Sequence, residues 1–159
     1  MNKFEKVTFY QYSNLMKGDY DLKPEWEAIK LPQRATAGSA GYDFFAPFDI
    51  DLAPGEVITI PTGIRVVLDE DKYLMIVPRS GLGFRYQIRL ANTTGIIDSD
   101  YFMSDNGGHI MMKLINGDTP VHIKAGQGIA QGIINKYYQT DDDGANKARN
   151  GGFGSTDNV

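Results

Sequence analysis

The 159-residue chain has no cysteine, two histidines, one tryptophan and no long hydrophobic run. Without cysteine there is no disulfide framework, thiol nucleophile or thiolate zinc site. His109 and His122 cannot build a multi-histidine metal cage. No apolar stretch approaches the ~20 residues that cross a bilayer, and MNKFEKVTFYQYS lacks the apolar core of a signal peptide. A cytoplasmic protein with no membrane association is the expectation. Positive charge is also short: a formal net charge of -4 argues against stable nucleic-acid binding, which needs a basic face. A local cluster of arginines could still receive an anion.

What is present points to a turn-rich globular chain. Apolar residues make up 42% and charged residues 23%, enough for a core in one domain. The 18 glycines and 7 prolines exceed the usual share. Short β-type runs lie at 56–60, 63–68, 73–77, 109–115, 121–125 and 128–138. Turn signals such as Ala53-Pro54-Gly55 and Asn116-Gly117-Asp118 separate them. That rhythm predicts an all-β fold, a sandwich or barrel. Val7, Phe9 and Tyr10 suggest a first strand, and Pro24 suits the start of one helical turn. The chain divides into a β domain over 1–139 and a Gly/Ser/Asn/Asp-rich arm over 140–159.

Five segments could carry chemistry. PRSGLGFR at 78–85 offers the Arg79 fork and the Ser80 hydroxyl beside flexible glycines, which suits phosphate oxygens. It equally fits a turn with a solvated arginine. NTTGIIDSDY at 92–101 places Asp98 and Asp100 two residues apart, on one face of an extended chain. Such a pair could hold a metal, divide acid and base work, or close a polar turn. ARNGGFGST at 148–156 carries Arg149 and the glycine-flanked Phe153. It reads as a hinged closing segment or as a plain tail. AGYDFFAP at 40–47 supplies Asp43 and AGQGIAQG at 125–132 supplies Gln131. His109, His122 and Trp26 read as structural, and Asp141-Asp142-Asp143 as a solvated run.

In this order, AGYDFFAP, PRSGLG, NTTGIIDSDY, GIAQ and GGFGST resemble the five motifs of the homotrimeric dUTPase family. The resemblance implies a jelly-roll-like β subunit. It further implies a homotrimer with sites shared between chains, and hydrolysis of dUTP to dUMP and pyrophosphate, limiting uracil in DNA. Magnesium would ride mainly on the substrate phosphates. On the family pattern Asp98 is the catalytic carboxylate, while Asn92, Gly95 and Ile97 belong to the uracil-reading segment. Tyr101 would pack on deoxyribose. Arg79, Ser80, Gly81 and Gln131 would hold α/β-phosphate oxygens. Arg149, Ser155 and Thr156 would take the γ-phosphate, with Phe153 stacked on the base and Gly154 counted among the substrate-binding residues. Asp43 would meet the metal through water. The same scaffold also hosts dCTP deaminases and protein-binding modules. The sequence departs from the family where FMSDNGGHI follows Tyr101, an insertion at 102–109 that could meet a protein partner.

Overall fold

The computed structural model describes residues 1–16, 21–147 and 149. Among them are eleven strands and three short helices. The largest sheet has four strands in the order β2-β11-β6-β8: β2 (Tyr42–Phe45), β11 (Gly128–Lys136), β6 (Lys72–Pro78) and β8 (Gly95–Ile97). Every pairing in it is antiparallel. A three-stranded sheet joins β4 (Val57–Pro61), β9 (Met111–Ile115) and β7 (Arg89–Leu90). Two strand pairs complete the architecture, β1 (Lys3–Lys6) with β5 (Ile64–Val67) and β3 (Ile50–Leu52) with β10 (Val121–Ile123). Non-neighbouring strands pair in each sheet, as in jelly-roll sandwiches.

Alternation builds the core. Leu74, Ile76, Phe44 and Ala130 point inward from the four-stranded sheet. Ile60, Met112 and Leu114 meet them from the three-stranded one. Each fully buried Ile or Leu contributes roughly 1.5–3 kcal/mol over an exposed one.

Two segments depart from the expected strands and loops. The first strand ends at Lys6, and Phe9–Ser13 forms helix α1 instead. Thr8 closes a capping box: its hydroxyl accepts from the Gln11 N–H, and the Gln11 side chain accepts from the Thr8 N–H. That local bonding overrides the apolar alternation. Pro24 does open a helix, α2 (Lys23–Ala28), as expected. Ser80–Tyr86 is helix α3 rather than a turn. Gln87 adopts a left-handed conformation at its end, where its own N–H bonds the Gly83 carbonyl and the Ile88 N–H bonds the Leu82 carbonyl. No helix among the described residues is long and apolar enough to span a membrane.

Candidate active site

The first cluster grows from cross-strand pairing. Asp43 on β2 lies directly opposite Gln131 on β11, so both side chains share the sheet's outer face. Gln131 in turn lies opposite Val77 of β6. Two residues beyond Val77, Arg79 caps α3 with extended backbone. Its Nε stands 3.3 Å from Asp43 Oδ1. The carboxylate therefore aims the guanidinium across the strand ends. Glycines make room for these long side chains. A Cβ on Gly128 would stand 2.2 Å from Arg79 Nη1, and one on Gly41 2.4 Å from Gln131 Oε1. Ser80 and Gly81 occupy the exposed first turn of α3.

The second cluster follows β8. Asn92 is exposed in the turn leading in, where Thr93 takes φ 65°. Gly95, Ile96 and Ile97 pair with Ile76, Met75 and Leu74. Asp98 then leaves the sheet, and Asp100 precedes a 3-10 turn over Tyr101–Met103. The two carboxylates converge as expected, but through a turn rather than along a strand. Both reach Arg149: its Nη2 donates to Asp98 Oδ2, and its Nε donates to Asp100 Oδ1 at 2.7 Å. Burial opposes the Arg149 charge, yet these two acids outweigh it and hold the guanidinium above its usual pKa.

Asp98, Asp100 and Arg149 border a groove of about 600 Å³. Its other walls are Glu70, Tyr73, Ile96, Ser99, Tyr137 and Gln139. Sequence reasoning did not single out Tyr73, but the strand register reveals it: Asp98, one past Ile97, falls opposite Tyr73. Tyr137 stacks edge-on against Tyr73 and donates its hydroxyl to the Glu70 carbonyl at 2.9 Å.

Tyr101 is only 6% exposed, and the Arg149 guanidinium lies 5.9 Å from its ring centre. Burial pushes the phenol pKa up, while its bond to Asn106 and the Arg149 charge pull it back. The Tyr101 ring face is thus covered by the same arginine that pairs with Asp98 and Asp100.

The structure does not unite the two clusters within one chain. Arg79 lies six residues along β6 from Tyr73, the residue facing Asp98. Asp43 lies three strands from β8. Ideal strand spacings put both on the order of 20 Å from Asp98. Between the clusters runs an apolar row on the same outer face, Ile133, Met75 and Ile96. Ile96 is 53% exposed, so no part of the described chain covers the row's end.

The two histidines differ in setting. His109 is fully buried, while His122 is at the surface and its Nδ1 stands 2.6 Å from Asp51 Oδ1. Asp141 to Asp143 are exposed. Phe153, Gly154, Ser155 and Thr156 lie outside the described residues. Among the described residues no group of three or more His, Asp or Glu side chains could hold a metal ion.

The comparisons with known proteins point one way. The dUTPase family model matches residues 27–157. A deoxyuridine 5'-triphosphate nucleotidohydrolase of Lactococcus lactis is 37% identical over 132 residues, 80% of this chain and 88% of that one. Its counterpart in Desulfitobacterium hafniense is 40% identical over 139 residues, covering 82% and 89%. Among solved structures, a Streptococcus mutans dUTPase superposes with a TM-score of 0.69 at 29% identity, over 87% of this chain and 98% of that one. A dUTPase from phage phi11 of S. aureus shares the fold, with a TM-score of 0.66 at 18% identity over 92% and 97%.

Proposed function

The chain belongs to the dUTPase family, and from that premise we propose that it hydrolyses dUTP to dUMP and pyrophosphate by attack of water on the α-phosphorus. The observation that carries the reading of the site is the contact of Asp98 and Asp100 with Arg149 at the rim of a groove. It sets an accessible carboxylate beside a cation that a phosphate could claim. When substrate arrives, Arg149 exchanges the two acids for the γ-phosphate, a bidentate partner of higher charge. Asp98 is then released to orient water and accept its proton. The Tyr101 ring, cleared of the guanidinium, presents its face to the deoxyribose.

Asn92 and the backbone around Gly95 and Ile97 read uracil, whose O4 acceptor and N3 donor are both reversed in cytosine. Each mismatch left buried costs roughly 1–3 kcal/mol. Arg79, Ser80, Gly81 and Gln131 grip the α/β-phosphate oxygens, with Asp43 holding Arg79 in place. Phe153 stacks on the base, and Gly154, Ser155 and Thr156 close over the γ-phosphate.

Since about 20 Å separates Asp98 from the phosphate grip, one chain cannot offer both to one substrate. A homotrimer resolves this by setting the Asp98 end of one copy against the Arg79 end of another. The bare Ile96 end of the apolar row supports that reading. The enzyme acts in the cytoplasm.

Magnesium fits as an ion carried by the triphosphate. The phosphate grip has one carboxylate, Asp43, already engaged by Arg79, which suits contact through water rather than direct ligation. When bound, the ion neutralises phosphate charge and fixes the triphosphate's conformation. The deaminase reading finds less support, since the relatives are named for hydrolysis rather than deamination.

Asp98→Asn tests the reading. It keeps the shape and a hydrogen-bonding oxygen but cannot take a proton. Pyrophosphate release from dUTP should fall about 10²–10⁴-fold, while dUTP binding persists. Turnover near that of the parent chain would remove Asp98 from its role.

A further inference from the structure

The insertion that follows Tyr101 is built around one amide. Asn106 Oδ1 accepts from the Ser104 hydroxyl at 2.7 Å and from the Gly108 N–H at 3.0 Å. Its Nδ2 donates to the Tyr101 hydroxyl oxygen at 3.0 Å and to the His109 carbonyl at 3.1 Å. The amide can point only one way. The His109 carbonyl accepts and cannot donate, and the Tyr101 hydroxyl spends its own proton on that carbonyl at 3.1 Å. The remaining lone pair of Tyr101 must therefore meet a donor, and Asn106 supplies it.

The bracket is anchored behind. His109 Nε2 accepts from the Gly63 N–H at 2.8 Å, and its ring lies against Tyr12 of α1 at 6.1 Å. Gln11 of α1 packs on Gly107, where a Cβ would stand 1.7 Å from its Nε2. Residues 1–26 precede the part matched by the family model, and Asn106 lies outside the five motifs. The chain has thus added an N-terminal helix and an insertion that meet behind one tyrosine.

We propose that Asn106 is a positioning residue for Tyr101 and so a determinant of discrimination between 2'-deoxyribose and ribose. The inference rests on the reading of Tyr101 as the residue facing the sugar. An aromatic ring excludes a hydroxyl only if it cannot retreat. Two hydrogen bonds on the phenol oxygen and the anchored carbonyl behind it prevent that retreat. Losing the Asn106 bond lets the ring shift and admits the 2'-hydroxyl.

The test compares kcat/KM for dUTP and UTP. Asn106→Asp keeps the acceptor that serves Gly108 and loses the donor to Tyr101. Asn106→Ser keeps a turn acceptor and cannot reach the phenol, and it serves if the first variant does not fold. Either should lower the dUTP/UTP preference about fivefold, the worth of one neutral hydrogen bond, with kcat for dUTP within about twofold. In a Tyr101→Phe background, which has no phenol oxygen, the same change should leave the preference where Tyr101→Phe alone put it. Equal losses on both substrates, an unchanged preference, or independent effects of the two substitutions would each overturn the proposal. Tyr101→Ala separates the layers. If it shifts the preference while the Asn106 variants do not, the bracket alone fails. If it does not, the sugar-facing role of Tyr101 fails and takes the bracket with it.

Discussion

Gly128 lacks a side chain at a place where Arg79 needs the space. It sits where the β11–β2 register shifts, and a Cβ there would stand 2.2 Å from Arg79 Nη1 and 2.9 Å from its Cδ. The colliding atoms belong to a flexible side chain, so the strand can survive Gly128→Ala while the guanidinium swings away. A charge-assisted bond to phosphate contributes more than a neutral one, so the variant should lose about tenfold or more in kcat/KM for dUTP. Its thermal midpoint should stay close to that of the parent chain. Steady-state kinetics with a melting curve checks both. Unchanged kinetics would mean that Arg79 does not need its present direction. Asp43 and Gln131 illustrate what one sequence conceals at this scale. Eighty-eight residues apart in the chain, they become partners only through register.

At the scale of elements, the strands were legible because alternation is a local signal. The runs at 57–61, 64–67 and 72–78 fall within or beside the apolar stretches that announce them. The helices were less so. Gly81 and Gly83 are poor helix formers, yet α3 forms because Leu82 and Tyr86 pack on the core and Gln87 closes its end. In α1 the Thr8–Gln11 capping box prevails over a strand-like pattern. The insertion at 102–109 was visible as extra sequence, but its inward fold depends on Gly63 and Gln11, which no local pattern joins to it.

That inward fold has a pH consequence. His109 is fully buried, and burial pushes its pKa from 6.5 down to about 4, with the Gln11 backbone opposing weakly. The unfolded chain takes up the proton as pH falls below 6.5, while the folded chain resists until about 4. The neutral ring's contribution is therefore complete above the unfolded value and is lost as pH drops through that window, amounting to about 3 kcal/mol. Urea unfolding at pH 7 and pH 4 should show His109→Gln, which keeps an acceptor for Gly63, losing less stability than the parent chain. Equal losses would show that His109 does not carry the acid sensitivity.

For the whole molecule, the arrangement of charge matters more than its amount. A chain of net charge -4 can hold a triphosphate because single arginines stand where phosphate would arrive, Arg79 beside Asp43 at one end of the sheet and Arg149 beside the proposed base at the other. The family was legible in five short motifs, each weak alone. The separation of the first cluster from Asp98 was not, because it depends on strand order and register rather than on spacing in the chain. On the proposed function, that separation would make the assembly part of the chemistry, with each substrate lying between copies.

Subunit mixing tests this most directly. Asp98→Asn and Arg79→Ala variants, each inactive alone, are unfolded together and refolded as mixed trimers, and pyrophosphate release from dUTP is measured. If Asp98 of one copy serves Arg79 of another, random mixing restores about a quarter of the sites. If each chain builds its own site, the mixture stays as inactive as its parents, and the shared-site account is contradicted.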